Sequence, residues 1–177
     1  MDGITRERER LRDIRSMADI VIDSSTLNIH QLDKKVAEIF ASGSDADLKV
    51  NILSFGYKYG IPVDADLVMD CRFIPNPHWI PELRPLTGKD LAVRENVMNA
   101  ENVQDFLNKY EELFLSISRG YISEGRKYLT LGVGCTGGKH RSVAIAEELA
   151  SRFNGKRHES GKVISAVAIH RDLGKET

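Results

Sequence analysis

Apolar residues recur along this chain with two spacings, which predicts helices interleaved with strands. The strongest helical pattern covers residues 103–118, where apolar side chains follow the three-and-four spacing of one helix face: Val103, Phe106, Leu107, Tyr110, Leu113, Phe114 and Ile117. The same spacing predicts shorter helices over residues 5–18, 29–40 and 142–153.

Short apolar runs bounded by turn residues predict the strands, at residues 18–23, 50–57, 67–73, 128–134 and 162–169. An irregular stretch, residues 74–88, follows the run at 67–73 and holds four of the five prolines. Strands that alternate with helices indicate an α/β fold, and the connection lengths allow parallel pairing. We therefore predict a small layered sheet with flanking helices.

One segment interrupts the alternation of helices and strands. Residues 41–47 are small, polar and contain a glycine, which is typical of a linker. We predict three parts: residues 1–41 as the end of one domain, 42–48 as a linker, and 49–177 as a second domain.

The charge balance narrows the function classes. The 177 residues carry 25 basic and 26 acidic side chains, a net charge of −1, which does not suggest a general nucleic-acid binder. The two cysteines predict neither a disulfide framework nor a paired metal motif, so we expect no metal and a reducing setting. No run has the length of a membrane span and the charged N-terminus lacks a signal-peptide core, so we expect a cytoplasmic protein without a membrane partner.

A glycine-rich loop lies between the predicted strand at 128–134 and the helix at 142–153. Such a loop directs backbone N–H groups at one point, and the helix adds the positive end of its dipole. Hydroxyl and basic side chains accompany the glycines, and Arg grips phosphate with two parallel bonds. We predict phosphate binding over the alternative of a plain strand-to-helix turn, by Thr136, Gly137, Gly138, Lys139, His140, Arg141 and Ser142.

The same loop admits a second interpretation. Cys135, Gly138, Arg141 and Ser142 fit the cysteine-phosphatase pattern C-x-x-G-x-x-R-S, in which a thiolate of lowered pKa attacks phosphorus. Against it, Gly134 stands where those phosphatases usually carry His, and their general-acid loop is not evident. We favour binding and therefore predict no catalytic residue. In the catalytic alternative, Cys135 and Arg141 carry the reaction. In the structural alternative, Cys135 is simply a small buried residue.

A second cluster of functional side chains, residues 70–79, begins in the last part of the predicted strand at 67–73 and continues beyond it. Asp70 and Arg72 alternate to one side of that strand, while Asn76 and His78 offer hydrogen bonds to sugar hydroxyls or phosphate. Trp79 offers a face for a sugar or an apolar group. The alternative is an Asp70–Arg72 structural pair with Trp79 packed under a long loop. A neighbouring phosphate site favours the functional interpretation.

These segments together resemble the RapZ/YvcJ family of bacterial RNase adapter and nucleotide-binding proteins. The resemblance rests on residues 134–143 (GCTGGKHRSV), 70–79 (DCRFIPNPHW), 55–62 (FGYKYGIP), 64–66 (DAD) and 83–88 (LRPLTG), with weaker matches over residues 5–40. It implies a second domain like a phosphofructokinase subdomain. It also implies that residues 5–40 end a P-loop domain that hydrolyses ATP or GTP. The chain holds no G-x-x-x-x-G-K-[ST], so we expect no cofactor in this piece of a longer parent.

The resemblance further implies ligands and partners. The best-studied branch binds a small regulatory RNA, senses glucosamine-6-phosphate and assembles as a homo-oligomer. Five positions match ligand-contacting positions of the family motif: His78, Thr136, Gly137, His140 and Arg141. Asp70, Arg72 and Lys139 are neighbours that we add because of their chemistry. The basic tail of RNA-binding members is replaced by a tail of mixed sign at 168–177, which predicts weak nonspecific attraction to RNA.

Overall fold

The computed structural model describes residues 2–40, 47–158 and 161–175. Along the chain its elements are α1 (Asp2–Arg10), α2 (Arg12–Met17), α3 (Ile29–Phe40), β1 (Leu48–Gly56), β2 (Leu67–Asp70), α4 (Leu91–Met98), α5 (Val103–Ser123), β3 (Tyr128–Cys135), α6 (Arg141–Phe153) and β4 (Ile164–His170). Short 3-10 turns cover Tyr57–Tyr59 and Pro77–Trp79. The predicted α/β class is confirmed.

The four strands form one parallel sheet in the order β2-β3-β1-β4. In its centre, Ile52 of β1 lies opposite Leu131 of β3 on one side and Ala168 of β4 on the other. Central strands of parallel sheets are buried on both faces and so read as continuous apolar runs, as β1 does. All four carboxyl ends meet at one edge of the sheet.

Helix α6 lies against β1, β3 and β4, while α4 and α5 pack on α6. Residues 143–146 of α6 are fully buried. Phe114 of α5 stacks on Phe153 of α6 with ring centroids 4.1 Å apart, which closes the core between sheet and helices. Burial of two such rings stabilises the fold by several kcal/mol, on the order of 3 or more for each.

Several predicted elements differ from the structure. The apolar run at 18–23 forms no strand and pairs with none of the strands in the described ranges. The helix at 5–18 is two helices that meet at Leu11, α5 continues to Ser123, and α4 was not predicted because only Val93 and Val97 mark its buried face.

The predicted strand at 67–73 is wrong beyond Asp70. Its partner β3 ends at Cys135, so β2 loses its neighbour, and the Ile74 N–H closes a turn on the carbonyl of Cys71. Asp70 and Arg72 therefore do not alternate along one strand. Residues 42–46 of the predicted linker lie outside the described residues, and the three-part division stays a prediction.

Candidate functional site

The glycine-rich loop lies at the sheet edge where all the strands end. β3 finishes at Cys135, the loop covers residues 136–140, and α6 begins at Arg141. The ends of β1, β2 and β4 lie beside it at Gly56, Asp70 and His170. Ligands of open α/β sheets bind at such an edge, outside the carboxyl ends of the strands.

The loop passes in direct contact with the end of β1. Gly138 has a φ of 77°, and a Cβ built there would lie 2.8 Å from the nitrogen of Gly56 and 3.0 Å from the Cβ of Asp172. A Cβ at Gly56 would lie 2.6 Å from the carbonyl carbon of Gly137. Only glycine fits where two backbones approach this closely.

Two neighbouring segments fix the outer carbonyls of the loop. The Lys58 N–H donates to the carbonyl of Thr136 at 3.2 Å, and the Gly88 N–H donates to the carbonyl of Lys139 at 2.9 Å. A Cβ at Gly88 would lie 2.2 Å from the His140 carbonyl oxygen, so this third glycine also admits a close approach. The loop is thereby pre-formed by backbone contacts on both sides.

Asp172, just beyond β4, supports the loop from below. Its fully buried carboxylate accepts the Gly56 N–H at 2.8 Å, the Arg171 guanidinium at 2.7 Å and the Lys175 ammonium at 3.0 Å. Burial raises the pKa of this carboxyl, but these hydrogen bonds outweigh it and the pKa is lowered. Asp172 was not predicted as a site residue; the available signal was its place directly after the last parallel strand.

Arg141 joins the two predicted clusters. Its side chain is buried, and Nη1 donates to the carbonyls of Arg72 at 3.1 Å and Ile74 at 2.9 Å. The other edge of the guanidinium lies toward the loop, where Nη2 contacts Thr136 Oγ1 at 3.3 Å. Nε on that edge is buried with no acceptor within the part of the chain that the structure describes.

His78 is also brought to the loop. Its exposed ring lies 6.2 Å from that of His140, centroid to centroid, and 5.4 Å from that of Trp79. Lys139 extends along the same rim and donates to the carbonyl of Arg84 at 2.9 Å. Imidazoles and an ammonium thus border the loop on the side of the Pro77–Trp79 turn.

Other residues of the second cluster have structural contacts. Asn76 Oδ1 accepts the His78 N–H and so caps the short turn. The Arg72 guanidinium binds the Asp70 carboxylate and lies 4.0 Å from the Tyr57 ring centroid. The hydrogen bond from Arg72 is the main reason that the pKa of Asp70 is lowered. Trp79 is 74% exposed and does not pack under the loop.

Cys135 lies beneath the loop, and its sulfur is surrounded by donors. The hydroxyl of Ser142 is 3.1 Å from it, and the Gly138 N–H donates to it at 3.2 Å. The neighbouring thiol of Cys71 contributes most, and together with these contacts it outweighs burial and lowers the pKa of Cys135 to about 5. Ser142 is fully buried, so its hydroxyl serves Cys135 rather than the loop surface.

Gly134 has a steric reason to lack a side chain. A Cβ there would lie 2.5 Å from the Phe55 ring and 2.6 Å from the Tyr57 ring, which stack edge to face. The histidine that cysteine phosphatases usually carry at this position does not fit this packing.

The described residues contain neither a cluster of metal ligands nor a helix that could cross a membrane. No group of three or more His, Cys, Asp or Glu side chains in those ranges is arranged to hold a metal ion. None of the helices described there has the length and apolar character needed to cross a membrane.

The fold and this edge define an α/β domain with a pre-formed, glycine-rich strand–loop–helix connection. The family model of the RapZ C-terminal domain matches residues 48–174, and the chain belongs to that family. The family resemblance predicted from the sequence motifs is thus confirmed.

Curated relatives extend the match to nearly the whole chain. Proteins named nucleotide-binding protein from Acidothermus cellulolyticus, Thermobifida fusca and Streptomyces coelicolor are 55%, 54% and 50% identical to it. Each match covers 99% of this chain but only 56%, 58% and 57% of the relative. The chain therefore spans a little over half the length of these relatives.

Proposed function

We propose that this domain binds the phosphate of a phosphorylated metabolite with the 136–140 loop and Arg141, and acts as a sensor without turnover. An amino-sugar phosphate such as glucosamine-6-phosphate is the ligand suggested by the family resemblance. The sugar would lie toward His78, because that side chain borders the loop on one side and is open to solvent.

The observation that carries the proposal is the inward edge of Arg141. A buried donor without an acceptor costs about 1–3 kcal/mol, and Nε of Arg141 has no acceptor among the described residues. The Nε and Nη2 donors form the fork that grips two phosphate oxygens. A phosphate in the loop would satisfy Nε, replace the long Thr136 contact and face the α6 N-terminus.

Calorimetry of the chain with glucosamine-6-phosphate, glucosamine and inorganic phosphate tests this directly. We expect the two phosphates to bind, glucosamine-6-phosphate more tightly, and unphosphorylated glucosamine not to bind. Absence of binding by every phosphorylated compound, inorganic phosphate included, would refute the proposal.

Charge variants locate the site. Lys139→Met removes a cation beside the loop, whereas Lys109→Met removes one from the exposed face of α5, where Lys109 pairs with Asp105. A hydrogen bond to a charged group contributes about 1.5–3 kcal/mol, so we expect roughly tenfold or greater weakening with Lys139→Met. Lys109→Met should bind like the wild type. Equal affinities for both variants would place the phosphate elsewhere.

A cysteine-dependent phosphatase is the second candidate, favoured by the lowered pKa of Cys135. The thiolate would attack phosphorus, an S–P bond would form as the ester P–O bond breaks, and water would then release phosphate. Two features argue against it: the sulfur is buried beneath the loop, and the general-acid loop usual in such phosphatases is not evident in the sequence. Turnover of an aryl phosphate that is lost in Cys135→Ser would support catalysis, and absence of turnover would exclude it.

The remaining functions rest on family membership. We propose that ATP or GTP hydrolysis belongs to the part of the relatives that this chain does not span, and that the parent is a cytoplasmic homo-oligomer. An RNA adapter role is tested by gel shift at physiological salt. Binding no tighter than that of a neutral control protein would reject this role. For nonspecific RNA we expect such weak binding, because the net charge of the chain is −1.

A further inference from the structure

The two cysteines of the chain lie side by side across neighbouring strands. Asp70 and Gly134 are the last paired positions of β2 and β3, so Cys71 and Cys135 occupy the next position on each strand. The Cys71 N–H continues the ladder by donating to the carbonyl of Gly134 at 2.9 Å. Neighbouring strands are about 4.8 Å apart, within the range of Cα separations that a disulfide links.

Both side chains point to the same face of the sheet, because residues at matching positions of parallel strands share a face. Both belong to the core cluster on that face. The Cys71 thiol has two acceptors within reach, the Gly134 carbonyl oxygen at 3.0 Å and the sulfur of Cys135. Neither cysteine is bonded in this structure.

The environments of the two sulfurs differ in the way that a reactive pair requires. The Gly138 N–H donates to the sulfur of Cys135, the Ser142 hydroxyl lies 3.1 Å from it, and the neighbouring Cys71 thiol also favours its thiolate. The adjacent sulfur of Cys135, burial and the nearby negative charge raise the pKa of Cys71 well above the usual value. Cys135 retains 3% exposure and Cys71 none, so Cys135 is the more accessible of the two cysteines.

We propose that Cys135 and Cys71 form a modification site for hydroperoxides, with Cys135 as the attacking sulfur and Cys71 as the resolving one. The inference does not depend on which ligand the loop binds. It rests on the juxtaposition of the two strand ends and on the donors around one sulfur but not the other.

The chemistry balances with hydrogen peroxide as oxidant. The Cys135 thiolate attacks one peroxide oxygen, an S–O bond forms, the O–O bond breaks, and the hydroxide that leaves takes a proton to become water. The sulfur of Cys71 then attacks the sulfenic sulfur: an S–S bond forms, the S–O bond breaks, and the hydroxyl leaves with the Cys71 proton as a second water. Peroxide is reduced by two electrons, and each thiol loses one.

The main test is intact-mass analysis of the chain after brief peroxide treatment. Remaining thiols are alkylated under denaturing conditions, and peptides are mapped without reduction. Because the chain has only two cysteines, a disulfide within one chain must join Cys71 to Cys135. We expect a product that takes up no alkylating agent and recovers both thiols on reduction. Two alkylated thiols after peroxide, or disulfides between chains only, would overturn the proposal.

Variants assign the roles of the two sulfurs. Cys71→Ser should leave a sulfenic acid at Cys135 that dimedone traps, and Cys71→Val serves the same purpose in an apolar form if the serine variant does not fold. Cys135→Ser should leave Cys71 unreactive toward peroxide. Dimedone labelling of Cys71 in Cys135→Ser, with none at Cys135 in the Cys71 variants, would reverse the assignment and refute it.

The pH profile provides a readout that access alone does not change. An ordinary thiol is alkylated about a hundredfold faster at pH 8 than at pH 6, because its thiolate fraction rises about tenfold per pH unit. In the folded chain we expect Cys135 to react at rates that differ by less than about twofold over this interval. A hundredfold rise at Cys135 would contradict the attacking role.

Discussion

Gly138 gives the sharpest test of how the loop is held, because the chain contains a matched control. Gly138 has a φ of 77° and Gly155, after α6, has a φ of 78°. A Cβ at Gly138 would lie 2.8 Å from the Gly56 nitrogen, whereas a Cβ at Gly155 has nothing within 4 Å. Alanine at either position meets the same backbone penalty, but only Gly138→Ala meets a second backbone.

The expected magnitudes follow from these two terms. An L-residue in the left-handed region costs about 1–2 kcal/mol, offset by up to about 1 kcal/mol from the stiffer unfolded chain, so Gly155→Ala should lose about 1 kcal/mol. Overpacking adds about 1–3 kcal/mol, so Gly138→Ala should lose about 2–4 kcal/mol. For a chain of this size, 3 kcal/mol lowers Tm by about 6–12 °C.

Urea unfolding of both variants and the wild type measures the difference, with calorimetry of phosphate binding on the folded proteins. We expect Gly138→Ala to be the less stable variant and to bind phosphate at least tenfold more weakly, because its Cβ displaces the loop from Gly56. Equal stability losses for the two variants, with phosphate affinity unchanged in Gly138→Ala, would show that the close approach does not fix the loop.

Three further substitutions test separate parts of the site. Asp172→Ala removes the buried acceptor of the Gly56 N–H and should cost about 3 kcal/mol in urea unfolding; a loss under about 1 kcal/mol would contradict the supporting role. The pKa of Cys135 is lower in the folded chain, so its thiolate stabilises the fold at high pH, and this contribution is lost as pH falls toward 5. The stability difference between wild type and Cys135→Ser should therefore grow by about 1 kcal/mol per pH unit from pH 5 to 8, and a constant difference would refute it. Trp79→Ala should change Tm by less than about 2 °C, since the ring is 74% exposed, and a larger drop would show hidden packing.

The sequence predicted strands and helices well where the local pattern of residues determines them. Long apolar runs such as β1 and β3, and the periodic helix α5, are specified by local pattern and were placed within a few residues. The run at 18–23 has the same local pattern but pairs with no strand in the described ranges, and β2 ends at Asp70, close to where its partner β3 ends at Cys135. These two errors have one cause: strand pairing is a property of partners distant in sequence.

The loop residues could be predicted because they are adjacent in the sequence. The residues that support the loop could not, because they lie far away along the chain. Glycines, hydroxyls and basic residues stand together at 136–142, so a local motif identifies them. The contacts of Gly56, Gly88 and Asp172 with this loop come from segments 30 to more than 80 residues away. The topology carries a signal for Asp172, because residues that follow parallel strands collect at one edge of the sheet.

Arg141 shows why the two predicted clusters act as one unit. Its Nη1 holds the carbonyls of Arg72 and Ile74, while Nε and Nη2 are the donors that a phosphate would take. If a phosphate draws the guanidinium toward the loop, its hydrogen bonds to the two carbonyls must stretch or the carbonyls must move with it. In the second case the backbone that leads to His78 moves as well. The chain segment from residue 72 to 79 is therefore the first that we expect to respond to ligand, before any change in the sheet. Slower amide hydrogen exchange there on addition of phosphate, with β1 unchanged, is the pattern that this coupling requires.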